Sequence, residues 1–368
     1  MSETDLQINT PMGALAFTRS YHQSSQSSLD FMGLGWTHNH LYKLDDLGGT
    51  PAKIEVTIAG NITVFYDDNA DDTYEAAAGA ASYLVKSGSG YDLTATDESV
   101  YHFDTSGQLE THTLANSEIW TYSYDSNDNL IDVSDGYGRE LKFAYYSGLS
   151  GADAFKNDLL WRVGTHKATD LTVTSPTGPY AELDYTDDGS GDGLLTDVQD
   201  VRGNTWSYRY YGSKSGETDT KWTNFLVETF SPSVDSDGDG SVDGTIQLQE
   251  LTYSGTARDT LTQIVQKRGD ALVTTTLDFD PANDATTETS EGLVTTHNFT
   301  NGVYLGTKDA ENNEQSRPPL SNYRPAYQED ANGNRTGMQW SADGKRLEGV
   351  VDGNANVTRF KYDSQARL

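Results

Sequence analysis

Apolar and polar positions alternate with a period of two along short runs of this chain, and clusters of Asp, Asn and Gly separate the runs. Glu118-Ile-Trp-Thr-Tyr-Ser-Tyr124 and Thr205-Trp-Ser-Tyr-Arg-Tyr210 are the clearest cases. Alternation of this kind predicts half-buried β-strands bounded by tight turns. No stretch sustains the 3.6-residue spacing of an amphipathic helix. Residues 74–86 are Ala-rich enough for a short helix, but Gly79 and the missing apolar stripe make a loop an equal reading.

The runs repeat. Tyr101-His-Phe-Asp104 precedes Ser106-Gly-Gln-Leu109, and Tyr122-Ser-Tyr-Asp125 precedes Asn127-Asp-Asn-Leu130. Phe103 and Tyr124 are 21 positions apart, as are Tyr124 and Tyr145; Phe279 and Phe299 are 20 apart, and Trp340 and Tyr362 are 22 apart. A period of roughly 20 residues holds two short strands and two turns, so each unit predicts one β-hairpin. Asp135-Gly-Tyr-Gly138, Asp200-Val-Arg-Gly-Asn204, Ala331-Asn-Gly-Asn334 and Asp352-Gly-Asn-Ala-Asn356 mark the second turn and supply its positive-φ residues. One hairpin cannot bury an apolar face alone. The expected fold is therefore all-β: stacked β-hairpins forming one long, curved antiparallel sheet. Its layers would be built on Tyr101, Phe103, Tyr122, Tyr124, Tyr145, Tyr208, Tyr210, Tyr253, Phe279, Phe299, Trp340 and Tyr362. Insertions near 151–168, 212–244 and 316–326 interrupt the register, and the prolines at 318, 319 and 325 exclude a central strand there.

Charge narrows the function classes. Against 25 basic residues stand 56 acidic ones, a formal net charge of −31, which repels phosphate backbones and excludes nucleic acid as a partner. The same charge disfavours anionic membrane surfaces, and no apolar run reaches the ~18 residues of a membrane span. Residues 1–20 carry no signal-peptide pattern, so an export signal would lie elsewhere. With no cysteine, disulfides, thiolate metal sites and cysteine nucleophiles are excluded. The 22 tyrosines and an aromatic share of 11% argue against disorder.

Candidate chemistry is sparse. In Asp235-Ser-Asp-Gly-Asp-Gly-Ser-Val-Asp243, the carboxylates of Asp235, Asp237 and Asp239 alternate, Gly240 allows the sharp turn, Ser241 offers a carbonyl and Asp243 closes the run. Oxygen ligands at this spacing wrap Ca²⁺. Ile246 stands where an EF-hand has its bidentate Glu, so the reading is an abbreviated structural Ca²⁺ loop, set against a plain acidic turn. Asp187, Asp188 and Asp192 form a looser cluster, read as a solvated turn. His38 and His40 share one strand face; with no third ligand in view, a hydrogen-bonded structural role is favoured over a metal pair. There is no Gly-x-Ser-x-Gly, no His-Glu-x-x-His and no phosphate loop, so no enzyme is expected.

The Tyr-Asp phrases resemble the RHS/YD-repeat family. Tyr124-Asp125 with Asn129-Leu130, Asp135-Gly-Tyr-Gly-Arg139, and Tyr362-Asp363 with Arg367-Leu368 follow its repeat phrase. Leu15-Ala-Phe-Thr-Arg-Ser-Tyr21 and Gly33-Leu-Gly-Trp-Thr-His-Asn39 look like the segment that precedes the repeats in such proteins. The resemblance implies an amino-terminal lead segment over 1–100 with irregular strands and a hairpin array over 101–368. It also implies a sheet that spirals into a shell, here an open part of one. A chain stopping mid-repeat without an Asp-Pro-rich self-cleavage segment is expected to be a fragment or one component of an assembly. The function so implied is a non-catalytic scaffold of a secreted or cell-surface protein. Its partner would be the rest of the polypeptide or a toxin passenger domain. The alternative is an adhesive or carbohydrate-binding module, which would meet glycans or other surface proteins through exposed rings and Ca²⁺-ordered loops.

Overall fold

The computed structural model describes residues 1–10, 13–22, 31–67, 70–76, 82–88, 90–95, 97–213, 224–233, 244–254, 260–269, 271–300, 303–311, 313–317, 324–330, 332–342 and 346–362. Three strands open the chain: β1 (Ser2–Thr10), β2 (Gly13–Tyr21) and β3 (Trp36–His38) form an antiparallel sheet in the order β1-β2-β3. All later strands pair in chain order, from Tyr42–Gly48 to Val357–Arg359. They make one antiparallel sheet of 27 strands among the described residues, and that sheet is open. The chain divides into two compact units, Met1–Glu75 with Tyr83–Glu250, and Ala76–Ser82 with Leu251–Leu368.

Three local devices recur along the hairpins, and all three are properties of the repeat phrase. The first is a bulge at the aromatic that closes the leading strand. Register shifts fall between His102 and Phe103, Ser123 and Tyr124, Ala144 and Tyr145, Arg209 and Tyr210, and Gln339 and Trp340. A bulge bends the strand, sharpens its twist and re-aims a side chain.

The second device is a carboxylate clip across the turn. Asp125 Oδ1 accepts the amide protons of Asn127 (2.8 Å) and Asn129 (3.0 Å), and its Oδ2 accepts Asn129 Nδ2 (3.1 Å). Asp200, Asp309, Asp330 and Asp352 repeat the same three bonds with an Asn four residues on. The amide of the fourth turn residue donates to the Asp carbonyl and takes positive φ: Gly203 at 85°, Gly333 at 79°, Asp128 at 66° and Ala355 at 65°. Glycine adopts this conformation without strain; other residues do so at a cost.

The third device ties one hairpin to the previous one. Tyr145, Tyr210 and Tyr362 each donate their hydroxyl to the carbonyl of a leucine 15 residues back, Leu130, Leu195 and Leu347. Trp340 Nε1 does the same to Pro325 O. Each ring is thus packed while its polar tip is satisfied, which is what a buried tyrosine requires.

The first unit has a continuous core. Phe103, Leu109, Val133, Leu141, Val163, Leu183, Leu195, Val198 and Leu226 are all fully buried. In the second unit the described apolar core is thinner, with Leu251, Tyr253, Val273 and Ala285 buried while Leu272 and Leu293 are 70% and 71% exposed.

The structure departs from the sequence expectations at four places. Hairpin pairing begins at Tyr42–Gly48, inside the span expected to be an irregular lead segment, because Leu44, Ile54, Val56 and Phe65 form a regular buried row. Within the expected insertion at 151–168, only Gly151–Lys156 is irregular, a 3₁₀ turn; Leu160–Thr165 is a strand of the sheet. Its buried Arg162 obscured the alternation, and that charge is satisfied by Glu182 and the carbonyls of Leu171 and Val173. The extra residues instead form the loop 166–179. Residues 74–76 and 83–86 are strand and not helix, and 77–81 lie outside the described residues. Leu226–Phe230, within the expected insertion 212–244, is likewise a paired strand.

Removing one clip by Asp125→Ala should destabilise the chain by about 1–2 kcal/mol, read as a lower urea midpoint. Burial alone would raise the Asp125 pKa, but the amides of Asn129 and Asn127 outweigh it and hold it below the ordinary value. The clip is therefore fully present above the ordinary Asp range and is lost as pH falls through the lower folded value. The two proteins should converge in stability on acidification. Conversely, Ala355→Gly relieves a positive-φ alanine in a turn where other copies carry glycine. It should stabilise the last hairpin by roughly 0.5–1 kcal/mol, seen as slower amide exchange in Leu347–Val351.

Candidate functional site

Among the described residues before Tyr42, Phe31, Leu34, Trp36, Tyr21 and His40 make polar contacts with the hairpins of the first unit. Two glycines allow the approach. Gly33, at φ 79°, has no room for a side chain, since a Cβ would lie 2.4 Å from the carbonyl oxygen of Gly193. The neighbouring Leu34 amide donates to that same oxygen at 2.9 Å. Gly35, at φ 78°, lies directly over the ring of Tyr21. These constraints turn the chain into β3 and bury Trp36, which is 1% exposed.

Trp36 Nε1 donates to Tyr210 Oη at 2.8 Å, and that hydroxyl donates onward to Leu195 O at 2.7 Å. The Leu226 amide donates to Tyr21 Oη at 3.0 Å. Beneath this layer Arg19 is wholly buried, with its Nε and Nη2 on the two oxygens of Asp5 at 2.7 and 3.1 Å. Asp5 is the extra residue of a bulge in β1, which turns it toward β2. The guanidinium lies 5.1 Å from the Trp36 ring centre and 5.0 Å from that of Tyr208, within cation–π range. Burial works against the charge on Arg19, but Tyr208 and Asp5 more than restore it and its pKa stands above the ordinary value. Burial pushes the Asp5 carboxyl up, and Arg19 pulls it back only in part.

The run His38-Asn39-His40 fastens the turn after β3 to β2. Asn39 Oδ1 accepts the Thr18 amide at 2.8 Å and Asn39 Nδ2 donates to Ala16 O at 2.9 Å. His40 Nε2 lies 2.8 Å from Ala16 O, and the His40 amide donates to His38 Nδ1 at 3.2 Å. Both imidazoles pack against Phe143, and His40 also faces Trp120 and Tyr122. A third histidine, His112, stacks on Tyr101 at 4.0 Å with a 16° interplanar angle. Burial is the main reason these rings stay neutral, with pKa values lowered to about 3 for His38 and about 4 for His40 and His112. A cavity of about 310 Å³ opens beside His38 and His40, walled by Tyr42, Tyr124 and Tyr145.

The expected layer aromatics differ in depth. Phe103, Tyr122, Tyr208, Tyr210 and Tyr253 are buried. Tyr101, Tyr124 and Tyr145 are half-buried, Tyr101 under His112 and Tyr145 through its Leu130 tie. In the second unit Phe299, Trp340 and Tyr362 are half-buried, and Phe279 is 42% exposed. The proposed Ca²⁺ ligands Asp235, Asp237, Asp239, Ser241 and Asp243 lie outside the described residues. Among the described residues no group of three or more His, Asp or Glu side chains is placed to hold a metal. Asp187 and Asp188 accept backbone amides of their own turn.

The buried Asp5–Arg19 pair escaped the sequence reading. Its signal is a charge at the middle of Phe17, Arg19 and Tyr21, alternate positions on an otherwise apolar strand face. Asp5→Ala should cost about 3–5 kcal/mol, because it leaves the guanidinium buried and unpaired. The double change Asp5→Leu/Arg19→Met should recover most of that loss in a denaturation midpoint.

A family model described as RHS Repeat matches residues 103–140, and a second, a domain of unknown function (DUF6531), matches residues 1–70. A search of curated proteins finds no match. Among solved structures, the chain is similar to a Tc holotoxin pore of Photorhabdus luminescens, at 9% identity and a TM-score of 0.41, over 99% of this chain and 22% of that one. It is also similar to the crystal structure of TcdB2-TccC3-TEV, at 12% identity and a TM-score of 0.44, over 98% of this chain and 22% of that one. The chain therefore spans under a quarter of the length of either. No helix among the described residues is long and apolar enough to cross a membrane. The chain thus carries an RHS repeat among its hairpins, after a lead segment that matches the second family model.

Proposed function

We propose that this chain is wall: a non-catalytic structural segment of a secreted or cell-surface RHS shell that encloses or presents a passenger domain, a toxin. The observation that carries the reading is the repetition of one mechanical unit. The same bulge, carboxylate clip and hydroxyl tie recur from Asp125 to Tyr362. Tyr145, Tyr185, Tyr210 and Tyr362 place their hydroxyls on backbone carbonyls, which withdraws these rings from a binding face. That favours a wall over an adhesive or glycan-binding surface. The lead segment fits the role of an internal brace, since it reaches across several hairpins through Gly193, Leu226, Tyr210 and Tyr122. The Asp235–Asp243 loop belongs to the same reading as a Ca²⁺-ordered decoration, on the spacing of its residues alone.

The test is limited proteolysis of the complete natural polypeptide that contains this segment. A passenger held behind the wall should resist a nonspecific protease under native conditions and become sensitive once denaturant opens the hairpins. Digestion of the passenger as fast as when it is expressed by itself would overturn the reading. Glycan binding abolished by replacing an exposed ring, such as Tyr137 at 75% exposure, would favour the adhesive alternative instead.

A further inference from the structure

We propose that the contact between the lead segment and the hairpins of the first unit is an acid-released latch, in which protonation of the buried cluster His38, His40 and His112 frees the lead segment while the hairpins stay paired. The inference rests on where these three rings sit. His38 and His40 belong to the lead segment, at the end of β3 and in the turn that follows. His112 belongs to the strand Leu109–Thr113 of the sheet. The three form a chain of influence: a charge on His40 acts on His38, and a charge on His112 acts on His40. The cluster therefore lies across the junction, and charging it sets like charges on both sides.

The cluster has little means of absorbing that charge. His112 is 6% exposed, and neither of its ring nitrogens has a hydrogen-bond partner. His38 and His40 are 4% and 2% exposed. The surrounding elements contribute mostly rings: Phe17 from β2, Tyr42 at the start of the sheet, Tyr101 and Trp120 beside His112, Tyr122 at 3.5 Å from His40 Nδ1, and Phe143. Burial keeps Tyr42, Tyr101 and Tyr122 protonated, so none of them becomes a counter-charge. Of the carboxylates, Asp97 faces His112 and opposes its shift without reversing it. Glu118 is engaged by Trp120 and Arg139, and Asp5 by Arg19. Lys43, Asp45, Glu55 and Asp128 line the cavity beside His38 and His40, which offers water a route to newly charged rings.

The direction follows from linkage. In the released state the three histidines recover their ordinary pKa near 6.5, whereas in the latched state burial holds them near 3 to 4. The released state binds more protons between these limits. The latch is thus at full strength above about pH 6.5 and weakens as pH falls. Each histidine that titrates on release raises the release constant by about tenfold per pH unit.

The experiment is amide hydrogen exchange on the chain at pH 7.5 and pH 5, corrected for intrinsic exchange. Strands β2 and β3 are expected to lose protection at pH 5 by at least about tenfold, while Leu160–Thr165 and Tyr180–Asp187 keep theirs. His40→Gln/His112→Phe, which keeps an amide donor near Ala16 O and a ring on Tyr101, leaves His38 as the one titrating ring of the cluster and should lose far less protection at pH 5 than the parent. Unchanged protection in the parent, parallel loss across both groups of strands, or release of the double variant at the parent's pH would each overturn the proposal. Should that variant fail to fold, imidazole titration of the parent by NMR decides. Three rings neutral until the lead segment opens support the latch, and titration near pH 6.5 with protection intact overturns it.

Discussion

Register is the constraint on which this architecture depends. In an antiparallel sheet a slip of one residue exchanges the two faces, and in a long run of short hairpins each slip would pass to every strand that follows. The carboxylate clip fixes the register where the error would begin. One aspartate takes two amides of its own turn and, in most copies, the side chain of an asparagine four residues on. It therefore sets the length of the turn and the conformation of its last residue together. Where a bulge directly precedes the aspartate, as at Tyr124, it adds twist to the same hairpin. Neither device needs a large core, which suits the thinly buried strands of the second unit.

The lead segment solves a different problem. A sheet built from chain neighbours has few contacts between residues distant in sequence, so nothing in the repeats themselves fixes how several hairpins lie together. Trp36, Tyr21 and Leu34 supply those contacts, and Arg19 supplies a charge that is satisfied only when Asp5, Trp36 and Tyr208 are all in place. Burying an ion pair adds little net stability, but an incomplete one is strongly unfavourable. The pair therefore favours one arrangement of lead segment and hairpins over near alternatives.

Much of the fold was legible because the repeat phrase states its own mechanics: Tyr at the bulge, Asp at the clip, Gly or Asn in the turn. The period of about 20 residues, the all-β class and the aromatic positions follow from it. Two kinds of feature were obscured. Leu160–Thr165 hides behind Arg162, whose charge reads as surface until Glu182 and the carbonyls of Leu171 and Val173 are seen around it. The junction of lead segment and hairpins depends on contacts as distant as Trp36 with Tyr210, 174 positions apart, which no local pattern encodes. His38 and His40 were visible as a pair, but His112 joins them only through the fold.

The hydroxyl tie has a bearing on how such a sheet can change. Three of the ties span 15 residues, whereas Tyr185 reaches Leu160 across 25. The additional length is taken up by the loop 166–179, and the strands on either side pair as usual. Chain length between tied residues is thus a free variable at one turn of the repeat, while the tie itself stays constant. The ladder on either side is the same despite a span longer by about ten residues. The turns of this sheet are accordingly the points at which added chain leaves the strand pairing unchanged.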